Sequence, residues 1–216
     1  MAANANRLQK VVADEALLWG DTVADSYHSV ADSHMDGQWD ALIRPALSGI
    51  PVDMSRCVDF ACGRGRNARK LLREGAGHVM MIDVNEENIR FCATMDPGKT
   101  RAVLVNGFDL AGIDDATITF FYSFDAMVHF DMEIIASYMP EFHRVMAPGA
   151  LALLHHSNYD ANPGGDFRHN PHMRNFMTAR IFKHLARKCG FEVLRQWTFA
   201  WGEMPDCDCI TVLRKG

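Results

Sequence analysis

RCVDFACGRGRN, residues 56–67, joins a short apolar run to a tight glycine turn and then to a stretch that can start a helix. The run carries Asp59 and passes through Phe60-Ala61-Cys62, and Gly63 and Gly65 flank Arg64 in the turn. Glycine has no Cβ and reaches positive φ cheaply, so a strand ending this way lets backbone approach a nucleotide-like ligand closely. A second apolar run, HVMMID, ends in Asp83, placed to accept from a pair of ribose hydroxyls. Two such strand ends predict a cofactor site.

Outward from this stretch the chain alternates. Strands are expected at 56–61, 78–83, 101–106, 117–123, 149–156, 191–199 and 207–213, and helices at 66–75, 85–94, 131–146 and 177–189. Such alternation gives a parallel sheet covered on both faces, with ligands beyond the strand carboxyl ends. The gap 200–206 is too short for a helical crossover, so the last strand is antiparallel. The fold class is therefore α/β, a Rossmann-like doubly wound, mostly parallel seven-stranded sheet with an antiparallel last strand and an N-terminal helical extension. The extension (1–50) holds helical spacing at 6–19 and 38–47 around a polar stretch at 21–36. It is read as a lid on a cofactor-binding domain spanning 51–216.

Gly63, Gly65 and Ala68 also satisfy the looser dinucleotide spacing G-x-G-x-x-A, which does not by itself separate NAD from S-adenosylmethionine. The charge of Asp59, just before the turn, would repel a pyrophosphate and suit the cationic ammonium and sulfonium of S-adenosylmethionine. The first strand also begins only at residue 56, whereas the dinucleotide fingerprint opens its domain. Both features, with the antiparallel ending, favour S-adenosylmethionine.

The other strand ends carry further candidates. After the third strand, Asn106 could bond the adenine edge and Phe108 could cover its face, although Asn106-Gly107 is also an ordinary turn former. After the fourth come Ser123, Phe124, Asp125 and His129, and after the fifth the adjacent His155 and His156, which must point to opposite faces.

VDFACGRGRNA, the acid of MMIDV, NGFDL, SFDAMVHFD and HHSN resemble, in order, the motifs of class I S-adenosylmethionine-dependent methyltransferases across residues 50–214. Ala61 stands where the common pattern has its first glycine. The later motifs, with Asn170-Pro171-His172, Trp201-Gly202 and Asp208-Cys209, are similar to a branch that methylates sugar and polysaccharide hydroxyls. The resemblance implies donor binding by Asp59, Cys62, Gly63, Asp83, Phe108 and Asp125, with Ala61, Val84, Asn106, Gly107 and Ser123 beside them. It further implies S-adenosyl-L-homocysteine as product.

The motifs of amino-methylating nucleic-acid enzymes, cytosine C5 enzymes, arginine methyltransferases and metal-dependent catechol-type enzymes are not recognisable. A neutral hydroxyl remains as acceptor, and the resemblance implies that a saccharide or similar small metabolite carries it. It needs a base with a pKa near 7, which histidine supplies. His129 is the first candidate and His156 the second, and an ordinary histidine predicts a rate rising through about pH 6.5. Tyr27, Trp39, His155, Asn158 and His172 are expected around the acceptor. Trp19, Tyr27 and Trp39 would either stack on a sugar or pack the leading segment on the sheet. The Asn-, Gly-, Pro- and His-rich stretch 157–174 reads as an acceptor loop whose Arg168, His169, His172 and Arg174 could meet an anionic group. Rival readings are a small-molecule N-methyltransferase, an NAD-dependent oxidoreductase and a non-catalytic donor-binding subunit.

The 22 Lys+Arg against 27 Asp+Glu in 216 residues give a net charge of −5, which argues against a nucleic-acid partner. No long apolar run or signal-peptide core is visible, so no membrane span is expected and the protein is read as cytoplasmic. The cysteines form no C-x-x-C pair and read as reduced core thiols, and no metal site is expected. Monomer and homodimer both remain open.

Overall fold

The computed structural model describes residues 2–20 and 25–216, with the side chains of 2–6, 15, 19, 20 and 25–29 outside that description. Strand β1 (Arg56–Phe60) is central because its residues bury on both faces. Parallel neighbours flank it: β2 (His78–Asp83) on one side and β4 (Ile118–Ser123) on the other. Beyond these lie β3 (Thr100–Leu104) and β5 (Met146–Ser157), both also parallel. The terminal hairpin, β6 (Phe191–Trp201) and β7 (Met204–Lys215), turns back so that β7 inserts antiparallel between β5 and β6. The order is β3-β2-β1-β4-β5-β7-β6.

Alternation along the strands sends side chains to two cores. Val58, Phe60 and Phe121 join α6 (Met132–Val145) and α7 (Ala179–Lys188) through Ile135, Tyr138, Phe142 and Phe182 on one face. Cys57, Phe120 and Tyr122 join α4 (Arg66–Arg73) through Ala68 and Leu71 on the other. Helix α5 (Glu86–Cys92) follows β2, its first turn capped by Asn85, whose side chain accepts from the Glu87 and Asn88 N–H groups.

The leading segment differs from the sequence expectation. Helix α1 covers Ala2–Gly20, but the polar stretch then contains α2 (Asp25–Gln38), which runs on through a π-turn (Trp39–Ile43) into α3 (Arg44–Leu47). Ala31, Met35, Trp39 and Ile43 recur every fourth residue and are all buried, and this apolar stripe outweighs the polar composition around it. Trp39, expected at the acceptor, is a core residue: its ring lies 5.9 Å from that of Tyr122, with Lys70 Nζ 5.4 Å from its centroid. The 157–174 stretch also carries structure, two 3₁₀ turns at Phe167–His169 and Pro171–Met173. Among the described residues no helix is long and apolar enough to cross a membrane.

Candidate active site

The turn after β1 is built from left-handed residues: Ala61 at φ 56°, Gly63 at 51° and Gly65 at 72°. A Cβ on Gly65 would lie 2.6 Å from Met95 Cε and 3.2 Å from Met81 Sδ, so this glycine allows α4 to start against the sheet. The Gly63 N–H donates to Asp83 Oδ2 at 2.8 Å and the Asn85 N–H to Oδ1 at 2.9 Å. Burial raises the Asp83 pKa while those N–H groups oppose the rise. Each carboxylate oxygen accepts more than one hydrogen bond, so Asp83 keeps capacity for hydroxyls while fixing the turn.

Asp59 does a different job from the one expected. It is fully buried behind the turn, and its Oδ2 accepts the Ala68 N–H at 2.9 Å, capping α4 from the neighbouring strand. Burial pushes its pKa up to about 7. A carboxyl in that position supports the loop from behind rather than meeting a ligand ammonium.

Ala61, Cys62, Gly63, Asp83, Val84, Gly107, Asp125 and His129 share the wall of one cavity at the strand carboxyl ends. Its roof is helical. Val12 and Ala16 of α1 and Ala31 of α2 close over it. Arg7 of α1 pairs with Asp131 and Glu133 at the start of α6, and Asn85 Nδ2 donates to Ala16 O at 3.1 Å. Gly107, at φ 91°, lies so close beneath α1 that a Cβ there would come within 2.4 Å of Val12 Cγ1. Arg66 ties roof to floor, donating to Ala31 O at 3.0 Å and to Asp125 Oδ2 at 3.2 Å.

The far wall holds His129 beside Phe130, Ile134 and Tyr138. His129 Nδ1 lies 2.8 Å from Met173 O. A carbonyl only accepts, so Nδ1 carries the proton and Nε2 the lone pair. Burial, then the positive charge of Arg174, lowers the His129 pKa to about 4. The imidazole is thus neutral at physiological pH but a weaker base than an ordinary histidine.

His156 is not a base for this cavity. It is fully buried, stacked on Phe182 with centroids 3.7 Å apart, and bonded to Ser157 O and Thr211 Oγ1, both at 2.9 Å. Burial pushes its pKa down to about 3. His155 turns to the opposite face, as adjacent strand residues must, and is buried among Phe124, Phe199 and Trp201. Neither histidine lines the cavity.

Several other expected contacts are spent on local structure. Asn106 Oδ1 accepts from the Phe108 and Asp109 N–H groups, making its own turn, while Phe108 packs against the core. Ser123 Oγ donates to Phe60 O at 2.9 Å. Asn158 bonds Asp206 O and the Ala179 N–H at the start of α7. His172, at φ 50°, faces Gly202 across a turn. The arginines expected to meet an anion are paired internally, Arg168 with Asp166 and Arg174 with Asp208. Tyr27 and Trp19 have side chains outside the described residues. Sequence reading passed over Arg66, the first helical residue after the glycine turn. It also passed over Phe130, Ile134 and Tyr138, whose four-residue spacing was a readable signal.

Residues 57–149 match a family described as a methyltransferase domain. An S-adenosylmethionine-dependent methyltransferase from Mesorhizobium loti superposes with TM-score 0.64 at 16% identity, covering 82% of this chain and 99% of that one. A geranyl diphosphate C-methyltransferase from Streptomyces coelicolor, solved with geranyl diphosphate, Mg2+ and S-adenosyl-L-homocysteine, gives 0.65 at 13% identity, covering 84% and 77%. No curated protein matches significantly. At such identities the structural likeness establishes the fold alone, the Rossmann-like seven-stranded architecture that these methyltransferases share. Within it, residues 57–149 are the part that resembles the methyltransferase-domain family.

Proposed function

We propose that the protein transfers the methyl group of S-adenosyl-L-methionine to a hydroxyl of a small metabolite. The observation that carries this reading is that Asp83, the Gly63 turn and His129 line one cavity. The donor fits the residues present: Asp83 retains acceptor capacity for ribose hydroxyls, and Gly63 offers backbone without a Cβ. Bound there, the donor supplies an electrophilic methyl on a sulfonium. The chain's own part is to hold the nucleoside at Asp83, keep water out under α1 and α2, and accept a proton at His129 Nε2.

A histidine lowered to about 4 assists best as a hydrogen-bond acceptor that orients the hydroxyl and takes its proton as the methyl transfers. The saccharide assignment rests on the motif resemblance. The same low pKa gives weight to the second reading, an amine acceptor, which presents its own lone pair and needs less help from a base. A screen with methyl-labelled donor against matched hydroxyl and amine compounds separates them. The hydroxyl reading expects turnover of hydroxyl compounds that His129→Ala lowers by about 10²-fold. Turnover confined to amines and indifferent to His129→Ala would overturn it.

A further inference from the structure

No step of that reaction uses Asp208, yet it is fully buried on β7 and bonds side chains from two separate segments. Its Oδ1 accepts from Arg174 Nε at 2.7 Å, and its Oδ2 accepts from Arg174 Nη2 at 2.6 Å and His155 Nε2 at 2.9 Å. The proton on His155 is fixed, because its Nδ1 accepts the Asp125 N–H at 3.0 Å. One carboxylate is thereby satisfied by a bidentate arginine and a neutral imidazole.

Both arms end at left-handed backbone. Asp125 has φ 57°, and His172 and Met173 have 50° and 54°. Side-chain-bearing residues hold such angles only where their surroundings over-determine them. Arg174 does this for the second pair: Nη1 donates to His172 O at 3.0 Å and the guanidinium lies 4.8 Å over the Trp201 ring. Asn170 Nδ2 adds a bond to Arg174 O at 2.8 Å. The Met173 carbonyl held in this way is the one that accepts from His129 Nδ1.

We propose that Asp208 is a positioning residue. Through Arg174 it holds the Met173 carbonyl that selects the His129 tautomer, and through His155 it holds the Asp125 turn that pairs with Arg66. The proposal rests on the reading of His129 as the acceptor-side residue. A neutral ring's proton sits where its partner puts it, so loosening Met173 frees the proton to move to Nε2 and removes the lone pair the acceptor needs.

The test is nitrogen NMR of the full chain carrying labelled histidine, with His129 signals assigned by their loss in His129→Gln. Wild type shows His129 protonated on Nδ1. In Asp208→Asn, which keeps shape and an acceptor for His155 but removes the charge facing Arg174, His129 shifts toward the Nε2–H form. The His143 signals, from a ring packed on Phe191 at the opposite end of β6 from Phe199, the residue paired with Asp208, stay in place and report an intact fold. Turnover should fall about 10–100-fold, as for other groups that orient a working residue, with donor KM changed far less. Arg174→Lys, which keeps the charge and loses the fork, gives the same shift and serves if the Asn variant does not fold. An unchanged His129 tautomer in a folded variant overturns the proposal. That readout needs no turnover, so it stands apart from failure of the methyltransferase reading, which absent donor binding by wild type would reveal.

Discussion

At the scale of single residues, burial decides chemistry. His129 titrates near 4 and Asp59 near 7, each displaced toward its neutral form by loss of water. Sequence placed His129 at a strand end but assigned it an ordinary pKa, because burial and the Arg174 charge come from segments distant in the chain. The consequence is a pH–rate profile, per free enzyme, that stays level from about pH 5 upward as far as His129 is concerned, and falls only as pH drops through about 4. A rise centred near 6.5 in the parent that vanishes in His129→Gln would contradict this. The same shift acts on stability. Between about 6.5 and 4 the unfolded ring takes up a proton that the folded ring refuses, so His129 favours unfolding as pH falls through that window. Asp83→Ala should weaken donor binding by about 1.5–3 kcal/mol, the range for a lost hydrogen bond to a charged group. Unaltered affinity in a folded variant would remove Asp83 from the site.

At the scale of elements, β1 and β2 were legible because their apolar runs bury on both faces and lead straight into the Gly63 turn and Asp83. Helix α2 was not, since its apolar residues are outnumbered by polar ones and only their four-residue recurrence marks the buried stripe. Nor was the fit of α1 onto Gly107, which depends on a contact between segments nearly a hundred residues apart. Gly107→Ala tests it. The new methyl would overlap Val12, and φ 91° suits glycine alone, so α1 should lift from the cavity. Limited proteolysis should then cut within Ala2–Gly20 markedly faster than in wild type, while the sheet keeps its protection. An identical digestion pattern would show that α1 does not depend on this turn.

At the scale of the whole molecule, two apolar layers on one sheet bring the carboxyl ends of β1, β2 and β4 together, and the leading helices roof the cavity they make. The fold class followed from alternation and from the short final connection. The cavity wall at β1 and β2 followed from glycines and Asp83, all within one unit of chain. The His129 side did not, because Arg174, Asp208, Met173 and His129 meet only through the tertiary fold, and because expected ligands such as Trp39 and His156 are indistinguishable from core residues until their burial is known. The central claim is that this cavity binds S-adenosylmethionine, and titration calorimetry of the full chain tests it most directly. Saturable binding of S-adenosyl-L-methionine and S-adenosyl-L-homocysteine, weakened by Asp83→Ala and with no response to NAD, is the predicted result. Binding of NAD without binding of either sulfur ligand would contradict the account.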